Sequence, residues 1–289
     1  MHTRNSRWSD APRIIDGRPE PFRFGPSDIR IFKLVAYGVP AREPWTYRYL
    51  PTSYFAPLLG RGSSGIPNRL TKLYRRPQSY LARPPQPMNN CRDLIYMLGR
   101  NGAKELRNEG LHIPTLKSGH LPHDLKACMI AASFEYGAAS HDLTIELAPK
   151  PQNLSPDWTA FKLNGRVVYV EADMGSERLQ DTGRDATTIT AKYEGYLQHI
   201  AMEQLSNVVV LFDTNAPERM DGMIELLKEV IDHHHYPHEY AEQFAFRWMG
   251  FDRFVNAIPK LTDWAVSGEW KRAGRIPPFT FAERTAGVP

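Results

Sequence analysis

Five consecutive apolar residues, Val208 to Phe212, follow Asn207 and run straight into Asp213 and Thr214. A strand with one wet face alternates apolar and polar side chains, whereas a run without alternation is a strand covered on both faces. The flanking segments supply the covers. ATTITAKYEGYLQHIAMEQL, with Asp185 as its expected cap, repeats Ile189, Tyr193, Tyr196 and Ile200 at helical spacing, and PERMDGMIELLKEVI reads as a second helix. Upstream, apolar runs on either side of Asn164-Gly165 give the strongest local hairpin signal. HDLTIELAP before it is a short strand, and LPHDLKACMIAASFEYG has the length and apolar content of a helix. The order helix, strand, strand, strand, helix, strand, helix predicts a mixed α/β (α+β) domain over about 120–270, with 271–289 as a tail. Residues 244–270 are aromatic-rich and read as core, with base stacking as the alternative.

The first 120 residues differ in kind. They hold 20 Lys and Arg against 8 Asp and Glu, while residues 121–289 hold 16 against 24. A basic part joined to an acidic part fits one that meets a polyanion and one that gathers carboxylates. Residues 1–25 carry prolines and arginines without period and read as a flexible arm. A helix is predicted over DIRIFKLVAYG, capped by Ser27, then a short one in WTYRYLP, then a third in GRGSSGIPNRLTKLYRR with Ser64 as cap. On that third helix Ile66, Leu70 and Leu73 share one face, and Arg69, Lys72, Arg75 and Arg76 the other. Two short strands, Tyr80 to Arg83 and Asp93 to Met97, joined by a proline-rich hairpin, precede a closing helix in GRNGAKELRNEG. That order, over 26–112, is the order of a winged helix-turn-helix, in which the third helix enters the major groove of double-stranded DNA. Arg69, Lys72, Arg75 and Arg76 are the expected DNA contacts, and a protein docking unit is the alternative use of such a module.

Cys91 and Cys128 stand alone, without a CxxC neighbour, and are expected to be inert. The first residues lack the apolar core of a signal peptide and no stretch has the length of a membrane span, so a cytoplasmic protein with no membrane partner is expected. No phosphate-binding P-loop, GxSxG or dinucleotide fingerprint occurs. The histidines of DHHHYPH at 232–238 sit where a helix ends, ahead of Pro237, and suit its negative end without any metal.

Chemistry concentrates in PDWTAFKLNGRVVYVEAD, where Asp157, Glu171 and Asp173 lie at the edges of two apolar strands. Carboxylates at such places are paired, protonated or bound to a cation. If the three converge, they form a hard oxygen-ligand set for Mg²⁺ or Mn²⁺. The structural alternatives are that Asp157 only initiates a strand, Glu171 pairs with Arg166 or Arg178, and Asp173 caps the turn at Met174-Gly175.

The element order, with PD at 156–157 and EAD at 171–173, resembles the PD-(D/E)xK nuclease superfamily. Over about 28–232 the chain is similar to the replication-relaxation family of plasmid and mobile-element proteins. That family joins a winged helix to H-x-L, PD, ExD and K-xxx-Y motifs, here HDL at 123–125, PD, EAD, and KYEGY at 192–196. The resemblance implies a PD-(D/E)xK-like αβββαβ domain and a DNA-binding protein of a plasmid, phage or other mobile element, acting in replication, relaxation or cleavage. Its catalytic set would be Asp157, Glu171, Asp173 and Lys192, with Mg²⁺ or Mn²⁺ held by the three acids. Asp173 stands where the nuclease pattern has lysine, and Lys192 on the following helix is the implied replacement. Double-stranded DNA, a protein of a replication or relaxation complex and a second copy of the chain are the partners this implies, with nucleoid or plasmid association. A non-catalytic regulator or adaptor on a degenerate nuclease fold is the alternative.

Overall fold

The computed structural model describes residues 14–15, 18–19, 25–37, 49–62, 64–75, 79–84, 93–113, 121–148, 154, 156–157, 160–175, 177–179, 188–248, 258, 260–273 and 277–282. Cys91, Asp185 and Arg76, all named above, lie outside them. Among the described residues the protein is mixed α/β, with two bodies of secondary structure that share one long helix.

In the expected arm, β1 (Ile14–Ile15) pairs antiparallel with β2 (Arg18–Pro19). The first body begins with α1 (Pro26–Tyr37), whose Phe32, Leu34 and Val35 are buried. Its start is closed by Asp28 rather than Ser27: the Asp28 carboxylate accepts from the Gly25 amide at 2.9 Å, and the Asp28 amide donates back to the Gly25 carbonyl. Next come β3 (Leu50–Pro51) and α2 (Thr52–Leu58). Of the helix read into WTYRYLP only Tyr49 to Pro51 are described, and there Leu50–Pro51 is strand, with Pro51 extended at the N-cap of α2. α3 (Ile66–Tyr74) follows Gly65, whose φ of 85° fits glycine and displaces Ser64 as the cap. Ile66, Leu70 and Leu73 are buried on it.

β4 (Leu81–Ala82) and β5 (Ile95–Leu98) pair antiparallel, Leu81 opposite Leu98, and β5 also pairs with β3, giving the order β3-β5-β4. α4 (Arg100–Asn108) packs so closely that a Cβ on Gly102 would lie 2.3 Å from the Tyr80 carbonyl oxygen, so only glycine fits there.

α5 (Leu121–Ser140) is buried nearly all round, as a helix apolar on every side must be. Leu121, Leu125, Cys128 and Met129 face the core of the first body, while Ile130, Phe134 and Ala138 face the sheet of the second. Cys128 also accepts from the Tyr49 amide, at 3.3 Å.

That sheet contains β6 (Ile145–Leu147), β7 (Phe161–Leu163), β8 (Arg166–Ala172), β9 (Val208–Thr214), β10 (Phe244–Trp248) and β11 (Lys271–Arg272), in the order β11-β10-β9-β8-β7-β6. β6, β7 and β8 are antiparallel neighbours, and β8, β9 and β10 are parallel. Asn164 and Gly165 both take positive φ, 48° and 79°, in the β7–β8 turn. All seven residues of β9 are buried. One face is covered by α5 and α8 (Trp264–Ser267), the other by α6 (Ile189–Glu203) and α7 (Pro217–His233). Thr188 caps α6, its hydroxyl accepting from the Ala191 amide.

The sheet does not stop at position 270. β11 pairs with β10, Trp270 bridges to Phe279, and Phe281 packs on Phe134, so much of the expected tail is an edge of the domain. Phe244, Phe246 and Trp270 are core, not stacking surface; Trp248 is exposed.

Candidate functional site

The carboxyl ends of β8 and β9 lie side by side, and in sheets with parallel strands that rim is where ligands find side chains from several elements. Glu171 and Asp173 are two residues apart at the end of β8, so both project from one sheet face, toward α6 and α7. They meet different partners there.

Glu171, its side chain 3% exposed, accepts from Lys192 of α6 at 2.8 Å and from the Tyr196 hydroxyl one turn further along. Asp157 runs beside the same strand. Its amide donates to the Val170 carbonyl, and its Oδ2 accepts from the Ala172 amide at 2.8 Å. That oxygen is also 3.1 Å from His123 Nε2, at the start of α5, and 4.0 Å from Lys192 Nζ. Glu177 completes the ring, 3.0 Å from the ammonium. Asp157, Glu171 and Lys192 therefore come together, with His123, Tyr196 and Glu177 around them.

Asp173 does not join them. Arg219 from the first turn of α7 grips it through both oxygens, donating also to the Glu177 carbonyl at 2.7 Å. Asp173 Oδ1 additionally accepts from the Gly175 amide at 3.0 Å, so it does cap the turn. Glu171 takes Lys192 as its counter-charge, not Arg166, which lies over the Phe279 ring. The three-acid cluster needed for the expected metal site is thus split by a guanidinium. Among the described residues no group of three or more His, Cys, Asp or Glu side chains is disposed to hold a metal ion.

Charge in the site is unevenly matched. Among the ion pairs of the described residues, Asp124, Asp157, Glu171 and Glu177 meet Lys192 and His123 as cations. Burial would lower the His123 pKa, but hydrogen bonds to Asp124 and Asp157, and their charge, push it up to about 10. Burial would raise Asp157, yet the His123 bond, the charges of Lys192 and His123, and the Ala172 amide hold it below the usual carboxylate range. Glu171 is the odd acid out. Burial and the Asp157 charge push it up to about 8 despite Lys192 and Tyr196. Burial also opposes the charge on Lys192, but three carboxylates outweigh it and keep the ammonium protonated. One ammonium and one imidazolium cannot neutralise all of these acids, so the most deeply buried acid is the one whose pKa is driven up.

Behind the rim, Lys126 and Asp213 form an ion pair with both side chains at 0% exposure, Nζ to Oδ1 at 2.8 Å. The same ammonium donates to the carbonyls of Asp173, at 2.9 Å, and Asp213, at 2.7 Å. It ties α5 to the ends of β8 and β9 together. His123 and Lys126, three positions apart on α5, thus hold Asp157 and the strand ends from one helix face.

On the expected DNA-binding helix, Arg69 pairs with the buried Asp28, its Nε 2.7 Å from the carboxylate. It is a strut between α3 and α1 rather than a free cation. Lys72 is exposed and Arg75 half-buried.

No protein-family model matches the chain, and no curated protein or solved structure matches it. No helix among the described residues is long and apolar enough to cross a membrane.

Proposed function

We propose that the chain is a DNA-processing protein in which a winged helix-turn-helix brings a PD-(D/E)xK-like αβββαβ domain to double-stranded DNA. The observation that carries this reading is the meeting of Asp157, Glu171 and Lys192, from a loop, a strand and a helix, at the carboxyl end of a central strand. Two acids and a lysine so placed suit phosphodiester hydrolysis. Asp157 and Glu171 are hard oxygen donors, enough for Mg²⁺ or Mn²⁺ when substrate phosphate and water fill the remaining positions. Such an ion would supply charge neutralisation at the phosphate. Lys192 would then orient the attacking water and stabilise negative charge building on the phosphoryl oxygens, with Tyr196 fixing Glu171 and His123 fixing Asp157. A replication or relaxation setting on a plasmid, phage or other mobile element, in a cytoplasm, belongs to the same proposal.

The second reading, a non-catalytic DNA-binding regulator, is favoured by the Arg219 clamp on Asp173 and by the three carboxylates that engage Lys192. Incubation of supercoiled plasmid with Mg²⁺ or Mn²⁺ separates the two. Nicking is expected in the wild type, with losses of about 100-fold or more in Asp157→Asn and in Lys192→Met. Asp173→Asn should retain most of it, because Asp173 faces Arg219. Plasmid left intact in both metals would leave the regulator.

A further inference from the structure

The loss of Arg69 to an internal ion pair removes one of the cations expected to meet DNA, and a different arginine has the chemistry to replace it. Arg83 lies directly after β4, and Pro84 behind it restricts its backbone to the extended region. Its guanidinium carbon stands 4.3 Å from the ring centroid of Tyr74, the last residue of α3, and 5.5 Å from that of Tyr96 in β5. Two rings from two elements therefore hold one cation at the seam between helix and hairpin.

Nothing described neutralises it. Its Nε is buried without a hydrogen-bond partner, and Arg83 makes no salt bridge to any described residue. Asp93, at the other foot of the hairpin, is bonded to the amide and hydroxyl of Ser53. The stretch 84–92 between the feet, PPQPMNNC and Arg92 at its close, contains no acid at all. A guanidinium is weakly hydrated, stacks readily on aromatic faces, and offers a planar fork matched to phosphate oxygens. Fixing the plane in advance removes part of the ordering cost of binding. The first 120 residues, with 20 Lys and Arg against 8 acids, supply the field that would bring a polyanion to it.

We propose that Arg83 contacts a backbone phosphate of duplex DNA, with Tyr74 and Tyr96 as the platform that orients its fork. The inference rests on the reading of the first body as DNA-binding, and it moves the contact from the middle of α3 to the junction of α3 with the hairpin.

The test is fluorescence anisotropy of the full chain on a labelled duplex of arbitrary sequence, titrated at several salt concentrations from about 50 to 200 mM. Wild-type affinity should fall linearly on a log–log plot against salt. Arg83→Ala should reduce that slope by about 0.9, the counterion equivalent of one phosphate, and weaken binding about tenfold at the lowest salt. Arg83→Lys keeps the charge but not the stacked fork, so its slope should match the wild type while affinity drops several-fold. Thermal melting of each variant reports whether it is folded, and the lysine variant carries the test if the alanine variant is not. Lysine and alanine variants that both bind with wild-type affinity and slope would overturn the role of Arg83 while leaving the DNA reader standing. A wild type without salt-dependent affinity removes both.

Discussion

Lys126→Met is expected to lower the free energy of unfolding by about 3–5 kcal/mol, the scale on which buried ion pairs fail when one partner is removed. The variant would leave the Asp213 carboxylate at 0% exposure without its cation, and would strip a donor from the carbonyls of Asp173 and Asp213. Burial already pushes the Asp213 carboxyl up against the pull of Lys126, so loss of the ammonium raises it further and favours the protonated acid. Lys126→Met/Asp213→Asn should therefore be more stable than Lys126→Met alone, since the amide removes the buried charge but keeps the shape. A double-mutant cycle in urea measures this as a coupling of roughly 1–3 kcal/mol. Additive single effects, or a Lys126→Met variant as stable as the wild type, would mean that the pair does not hold α5 to the strand ends.

Much of this architecture could be read from the residues because it depends on local periodicity. The unalternated run Val208 to Phe212 required cover on both faces, and α6 with α7 on one side and α5 on the other supply it. Asn164-Gly165 fixed the β7–β8 turn because both residues tolerate positive φ. The site was legible in part. Asp157, Glu171 and Lys192 were each singled out, and they meet. Asp173 went astray because period-two alternation says which face a side chain leaves from, not which helix receives it, and Arg219 arrives from a helix about 46 residues later. The signal that was available lay in misfits. Lys126 is a buried cation in a mostly apolar helix, and Asp213 follows the apolar run of β9. A charge inside a buried run needs a counter-charge, so the two could have been paired with each other. Caps were the least legible. Ser64 lost to Gly65 and Ser27 to Asp28, since a hydroxyl is only one of several ways to satisfy the first turn.

Between about pH 5 and 6.5, in chelator and without DNA, the protein is expected to lose stability as pH rises, at a rate approaching about 1.4 kcal/mol per pH unit. Glu171 is the reason. Its ordinary value is 4.5 and the folded protein holds it at about 8, so across this window the native state retains a proton that the unfolded chain releases. The stabilisation is complete below the unfolded value and disappears as pH rises through the folded one. Other groups of the site move in other windows. Asp157, held low, contributes only where pH falls below the ordinary carboxylate range, and His123, raised from 6.5 to about 10, loses its contribution only above that interval. Glu171→Gln should therefore flatten the slope between about pH 5 and 6.5, weaken it up to about pH 8 and leave the decline beyond, while His123→Gln should keep the slope of the lower window and lose the decline above about pH 8. Chemical denaturation at half-unit steps of pH reads both. A wild type whose stability is level or rising through the lower window would show Glu171 to be ionised beside Lys192, with Asp157, Glu171 and Glu177 all charged around one ammonium. In that event the excess negative charge, rather than a shared proton, is the state that a phosphate or a cation meets on arrival.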